Sequence, residues 1–112
     1  QGIAPGYEEK HFDVQSKRGK LRLIASPDGR DGSVKIHQDA SLYAALINGE
    51  ESISHPLATG RSAYLHLIRG EASINGTRLS TGDALKIRQE AQIDIRDARD
   101  AELLLFDLPY GD

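Results

Sequence analysis

The sequence predicts a single all-β domain, folded as a sandwich or barrel of roughly nine or ten short strands. The chain has 112 residues, which is the size of one ordinary domain. Apolar and polar residues alternate over several short segments, with the period of two that is typical of β-strands. No segment shows the sustained i, i+3, i+4, i+7 pattern of an amphipathic helix.

Composition excludes several functional classes. The chain contains no Cys, so disulfides, thiolate metal sites and cysteine nucleophiles are excluded, and a reducing, cytoplasmic location is expected. A formal charge of −3 argues against nucleic acid as a partner, and the lack of a long apolar run argues against a membrane. The chain also lacks Met and opens with Gln1. We therefore expect a processed product or a piece of a longer protein.

Residues 1–19 predict an irregular arm ahead of the first strand. Gly and Pro interrupt this segment, and its apolar residues are Ile3, Tyr7, Phe12 and Val14. Such an arm would serve as a linker from an earlier domain or as a strap over the sheet.

The rest of the chain divides into segments with strand character. They are residues 20–26, 33–39, 42–47, 52–58, 62–69, 71–74, 77–79, 84–87, 91–95 and 102–108. Segment 42–47 is apolar throughout, as expected for a strand covered on both faces. Residues 96–100 are charged and predict a loop or a single helical turn. Closure of the sheet would remove its exposed edges, which favours a barrel.

Turn sequences separate these segments. Turns are expected at 27–29, 48–49, 59–60, 75–76 and 81–83. Asn75-Gly76 is the strongest of them, because both residue types accept the positive φ that a two-residue hairpin requires. Gly70 is expected to end the strand that precedes it.

The middle of the chain resembles the first sequence motif of the cupin family. That motif runs from a Gly through five residues to His-x-His, continues to a Glu and closes on a Gly. Gly49, His55 and Gly70 match the opening Gly, the first His and the closing Gly. Leu57 stands at the second His position, and the Glu position falls within residues 61–63, where none is acidic.

The stretch that begins near Gly82-Asp83 resembles the second sequence motif of the cupin family. A Gly-Asp pair is common at the start of that motif. Its Pro, Gly and His positions fall on Arg88, Glu90 and Ile93. The resemblance implies a double-stranded β-helix, or jelly-roll barrel, from which the metal ligands are mostly absent.

Separated segments narrow the resemblance to pirin-like proteins. Residues 6–10, 23–33, 36–39 and 104–109 are similar, in the same order, to the second half of those proteins. Pirin-like proteins are bicupins. Their N-terminal cupin carries an iron-type metal bound by His and Glu, and their C-terminal cupin is typically metal-free. Some members resemble quercetin 2,3-dioxygenases in activity.

This resemblance implies a domain organisation. Residues 1–19 would be the interdomain linker and residues 20–112 the C-terminal cupin, with the N-terminal metal cupin absent. No cofactor is then expected in this chain, and an iron-type divalent metal is expected only in the absent N-terminal cupin. That missing domain is the first expected partner, and the fragment could pair as a homodimer.

His55 is the leading candidate for a binding residue. It alternates with Ile53 and Leu57, so we expect it to face the barrel interior. Together with Leu57, Ala63 and Ile93 it would line an apolar pocket for a small aromatic, flavonoid-like ligand. The alternative is a half-buried structural His bonded to a neighbouring strand or to water. Because Leu57, Ala63 and Ile93 offer no lone pair, we expect no metal site and no catalytic residue.

Tyr64 and His66 are candidates for an interface. They alternate with Leu65 and Leu67, so they are expected to point away from the barrel. They would contact the missing cupin or another subunit, or else pack against Tyr7 and Phe12 of the arm. Residues 37–39 are expected to anchor a loop by hydrogen bonds, because no serine lies in a nucleophile motif.

The sequence leaves three functions open. The chain is a structural, interdomain half of a protein that resembles a metal-dependent quercetin 2,3-dioxygenase, with the chemistry in the other cupin. Alternatively, it is a small-molecule-binding barrel with its pocket near His55. A third possibility is a protein-interaction module, since eukaryotic pirins resemble transcription cofactors.

Overall fold

A computed structural model describes residues 17–109, and strands make up most of that range. The strands are β1 (Arg22–Ser26), β2 (Val34–Lys35), β3 (Ser41–Gly49), β4 (Ile53–Pro56), β5 (Arg61–Ile74), β6 (Thr77–Ser80), β7 (Ala84–Arg88) and β8 (Gln92–Pro109). One short 3-10 turn (Arg30–Gly32) precedes β2. The all-β prediction is confirmed. Residues 1–16 of the expected arm lie outside the described range, in which no helix is long and apolar enough to span a membrane.

The eight strands form one hydrogen-bonded network around β5 and β8. The order is β2-β1-β3-β8-β5-β6, with β4 added on β8 and β7 added on β5. The pair β1–β2 is parallel and the other strand pairs are antiparallel. Within residues 17–109 no strand pairing closes this network, so the expectation of a closed sheet is wrong. The core is enclosed instead because the long strands bend.

Both long strands change partners along their length. Residues 62–66 of β5 pair with β7, and residues 71–74 pair with β6. Likewise residues 92–95 of β8 pair with β4, and later residues pair with β3. Register shifts lie between the two halves of β5, around Gly70. The two central strands are therefore shared by both walls of a jelly roll.

Two predicted breaks are bulges inside continuous strands. Gly70 does not end a strand, because β5 runs through it at a φ of +87°. Residues 96–100 are not a loop, because β8 runs through them with Asp97 and Asp100 at φ values of 53° and 48°. Bulges admit the extra residues and bend the strand, which explains why local sequence signals of a turn occur inside β5 and β8.

The strand in segment 33–39 is shorter than the alternation of apolar and polar residues predicted. Only Val34–Lys35 pairs with β1, and a single further hydrogen bond joins the Ile36 amide to the Ser26 carbonyl at 2.9 Å. The chain then turns so that Asp39 reaches Arg61. The total is eight strands in the described range, fewer than expected, because four predicted segments fuse into β5 and β8.

One hydrophobic core fills the space between the two walls. Side chains of β5 point alternately into the core and out to solvent, so Leu65 is fully buried whereas Tyr64 is 40% exposed. The core consists of Ala45, Ile47, Ile53, Leu57, Ala63, Leu65, Leu67, Ala72, Ile74, Leu79, Ile87, Ile93, Ile95, Ala98, Ala101, Leu103 and Leu105. Its buried members are all aliphatic.

We expect Gly70→Ala to lower the free energy of unfolding by about 2–4 kcal/mol. A Cβ at this position would overlap the backbone carbonyl oxygens of Arg99 and Asp100, in addition to the cost of the positive φ. Gly82→Ala is the matched control, because Gly82 has a φ of +89° and no atom near its Cβ position. It should cost only about 1 kcal/mol. Urea unfolding followed by circular dichroism measures both, and equal losses would contradict the close approach of the two strands.

Candidate functional site

Charged and aromatic side chains collect at one end of the core, where β5 begins and β8 finishes. We call this end the mouth and define it by Asp39, Tyr43, His55, Arg61 and Asp107. All except Asp39 lie on strands, at positions that alternate with outward-facing residues. The mouth is therefore the polar limit of an otherwise apolar interior.

Arg61 is the centre of the mouth. Its Nε donates to Oδ1 of Asp107 at 2.8 Å, and its Nη1 donates to the two carboxylate oxygens of Asp39 at 2.9 and 3.0 Å. Its Nη2 donates to the backbone carbonyls of Asp107 and Asp39 at 3.1 and 3.3 Å. The bond to the Asp107 carboxylate, followed by that to Asp39, raises the pKa of Arg61. This Arg61 clamp ties β5, β8 and the segment before β3 together.

The two carboxylates of the clamp differ in exposure. The side chain of Asp107 is 19% exposed, close to the 22% of Arg61, whereas that of Asp39 is 70% exposed. The Arg61–Asp107 pair is the shielded one, so its loss costs more than the loss of an ordinary surface pair.

His55 lies deeper in the mouth. Its side chain is half-buried on the same face as the buried residues Ile53 and Leu57. The ring of Tyr43 meets it edge-on, with ring centroids 4.9 Å apart. Burial lowers the pKa of His55, and the negative charge of Asp107 opposes that shift. The imidazole is therefore mainly neutral at pH 7, with one nitrogen able to accept a hydrogen bond.

A cleft of about 600 Å³ lies beside the mouth, lined by residues 57–61 and 89–91. The Leu57 amide donates to the Ala91 carbonyl at 3.0 Å, which joins the two loops that form it. The cleft combines the apolar side chains of Leu57 and Ala91 with the charged groups of Arg61 and Glu90. Its volume is that of an ordinary small-molecule site.

The four residues expected to line a pocket occupy different depths. His55 and Ile93 are cross-strand partners on β4 and β8. Ile93 and Ala63 are fully buried in the core, with 0% and 1% exposure, so neither lines the cleft. Leu57 lines it, and His55 lies beside the mouth. The predicted interior pocket is therefore filled by core side chains, and the open cleft lies at its edge.

The candidate interface residues Tyr64 and His66 lie on the outside of β5. They alternate with the buried Leu65 and Leu67, and Tyr64 is tilted against Phe106 with ring centroids 6.3 Å apart. Their proposed partners Tyr7 and Phe12 lie outside the described residues.

The residues at the cupin ligand positions do not fit a divalent metal. His55 offers one nitrogen, whereas Leu57, Ala63 and Ile93 offer none. The guanidinium of Arg61 stands at the edge of the interval where the family has a Glu, and it repels a cation. Across residues 17–109 no three His, Asp or Glu side chains converge closely enough to hold a metal ion.

Sequence reasoning missed Arg61 and Asp107 as a pair. A usable signal was present, because each alternates with residues that face the core: Arg61 with Ala63, and Asp107 with Leu105. Oppositely charged residues at inward positions of two strands are expected to pair, since a lone buried charge is costly. Asp39 was expected to anchor a loop, and its bond to Arg61 does so.

Comparison with known proteins assigns the family. Residues 23–108 match the family described as quercetinase C-terminal cupin domain. The chain belongs to this family. It is 46% identical over 110 residues to the quercetin 2,3-dioxygenase of Escherichia coli K12. This alignment covers 96% of this chain and 46% of that protein. The pirin-like resemblance inferred from the sequence is confirmed.

Solved structures agree with this assignment. The crystal structure of YhhW from E. coli aligns with a TM-score of 0.87 and 41% identity over 98% of this chain. A second structure, described as the bacterial pirin YhhW in complex with nickel(II), aligns with a TM-score of 0.86 and 42% identity. In both cases the match covers 46% of the YhhW chain, so this quercetinase C-terminal cupin spans about half the length of its relatives.

We expect Arg61→Gln to lower the free energy of unfolding by about 1–3 kcal/mol, because it leaves the shielded carboxylate of Asp107 without its cation. The matched control is Asp39→Asn, which removes the exposed carboxylate of the same clamp and should cost about 0–1 kcal/mol. Urea unfolding of both variants at low salt measures the difference. A loss for Asp39→Asn as large as that for Arg61→Gln would contradict the ranking.

The stability of the chain should fall as the pH is lowered through 6.5, the unfolded pKa of His55, with a contribution from this residue. Because burial places the folded-state pKa of His55 below its unfolded value of 6.5, the unfolded state binds the proton first. The free energy of unfolding therefore decreases as the pH falls through the unfolded pKa towards the folded one. His55→Gln removes this contribution, so its profile should be flatter than that of the parent chain. Identical profiles would contradict it.

Proposed function

We propose that this chain is the structural, metal-free cupin half of a pirin-like protein of the quercetinase type, and that the oxidative chemistry belongs to a second cupin. The observation that carries the proposal is the Arg61 clamp. A guanidinium held by two carboxylates stands at the edge of the interval in which the cupin motif has its acidic ligand.

The donor set supports this proposal. A first-row divalent metal held by protein requires about three converging nitrogen or oxygen ligands. Here His55 is the single donor among the four matching positions. A metal would also have to displace Arg61 from Asp107 and Asp39, and so break two ion pairs.

The relatives support a division of labour between two halves. The E. coli protein named quercetin 2,3-dioxygenase and the nickel-bound YhhW are each matched over 46% of their length. We place the iron-type divalent metal of such a protein in the portion outside the match. This chain would then be the partner of that metal-binding cupin, and its filled aliphatic core and clamped mouth suit a rigid supporting domain.

A cytoplasmic location follows as part of the same proposal. The chain has no Cys to form disulfides, which suits a reducing compartment. The mild formal charge of −3 gives no electrostatic reason to expect a nucleic-acid partner.

The proposal is tested by metal loading and by turnover. The purified chain is dialysed against iron(II), manganese(II), nickel(II) or zinc(II), and bound metal is measured by plasma mass spectrometry. We expect substoichiometric metal and no quercetin consumption, with the full-length E. coli quercetin 2,3-dioxygenase as the active control. One tightly bound metal per chain would overturn the proposal. So would quercetin turnover by this chain that His55→Ala abolishes.

A second candidate function is small-molecule binding at the cleft. The cleft of about 600 Å³ lined by Leu57 and Arg61 favours it, because it has the volume and the mixed apolar and polar lining of a flavonoid-sized site. In a titration of the purified chain with quercetin, binding would raise the melting temperature in a saturable way. Ala58→Asp puts a charge into the cleft at an exposed position and should remove that shift. A melting temperature that does not respond to quercetin excludes this ligand.

A further inference from the structure

A second pocket, of about 430 Å³, lies between β1 and the 3-10 turn that precedes β2. Its charged lining residues are the basic Lys20, Arg22 and Arg30 and the acidic Asp31. The chain as a whole has a formal charge of −3, so positive charge is concentrated here against the overall balance. The volume is that of a small-molecule site, and its lining residues differ from those of the cleft beside the mouth.

Hydrogen bonds hold the two guanidinium groups of this pocket in place. Nη1 of Arg22 donates to the backbone carbonyl of Asp31 at 2.6 Å, which ties β1 to the turn. Nη1 of Arg30 donates to Oδ1 of Asp28 at 3.1 Å, and the Arg30 amide donates to the same oxygen at 3.2 Å. Lys20 is exposed beside them. Because the guanidinium groups are positioned before a ligand arrives, less side-chain entropy is lost on binding.

The rest of the lining is largely apolar and comes from Leu21, Leu23 and Tyr43. Leu23 is the cross-strand partner of Tyr43 and is 5% exposed. Leu21 and Tyr43 are partly buried and pack against the hydrophobic core. Tyr43 also meets the ring of His55, with ring centroids 4.9 Å apart, so packing holds its ring in place. The pocket thus joins a group of cations to a fixed apolar surface.

We propose that this pocket binds a small organic phosphate, with the phosphate group on the basic side chains and the organic part against Leu21 and Tyr43. Guanidinium groups present paired N–H donors in the geometry that phosphate oxygens accept, and a lysine adds a point charge. Three cations outnumber the carboxylate of Asp31, which favours a dianion over a singly charged carboxylate. The side chain of Arg30 is 47% exposed. Because solvent screens exposed charges, inorganic phosphate alone should bind with a Kd on the order of 1 mM.

The test is an NMR titration of the full chain, labelled with ¹⁵N, at about pH 7.5, where a phosphate monoester carries close to two charges. Inorganic phosphate is added while sodium chloride is reduced to keep the ionic strength constant. We expect saturable changes in the amide shifts of Lys20 and Gly32 at the pocket, and none at Gly60 in the cleft. Phenyl phosphate should bind several-fold more tightly than inorganic phosphate, because its ring packs against Tyr43.

Matched double variants separate a built site from general attraction between charges. Lys20→Gln combined with Arg30→Gln should weaken phenyl phosphate binding about tenfold, and the spectrum itself shows whether this variant is folded. The control, Lys86→Gln combined with Arg99→Gln, removes the same two charges from exposed positions outside the pocket and should leave the affinity unchanged within about twofold. Equal weakening in the two variants would overturn the proposal. So would shifts that do not saturate, or phenyl phosphate that binds no more tightly than inorganic phosphate.

Discussion

Where β5 and β8 cross, Gly70 lies directly against the backbone carbonyls of Arg99 and Asp100. No side chain fits between the two strands at this point, and both strands are bulged there. The bulges turn each strand through the fold, so that one half of it faces the other across the core. The two walls, the enclosed aliphatic core and the position of the mouth all depend on this contact.

The mouth follows from the same geometry. Because β5 begins where β8 finishes, Arg61 and Asp107 reach the interior side by side, and their charges neutralise each other. Asp39 adds a second, more exposed anion and holds the segment that leads into β3. His55 is half-buried against the ring of Tyr43, and this burial lowers its pKa against the opposing charge of Asp107.

The sequence allowed the inward and outward faces to be predicted where alternation was strict. Leu65 and Leu67 are buried and Tyr64 is exposed, and the Asn75-Gly76 turn joins β5 to β6 as expected. The bulges were not predictable, because a Gly and a charged run signal a turn whether or not the strand continues. Alternation marks Arg61 and Asp107 as inward-facing, but they are 46 positions apart, and their pairing depends on the long-range register of β5 with β8.

The Arg61 clamp also limits the routes open to evolution. Replacing Arg61 alone leaves the Asp107 carboxylate without its cation and supplies no metal ligand. Placing a His at Leu57 alone adds a donor beside a fixed positive charge. Each of these single changes costs stability or gains nothing, so several simultaneous substitutions would be needed to build a metal site in this mouth. Any change of the charge at Arg61 is therefore also a change in the stability of the fold.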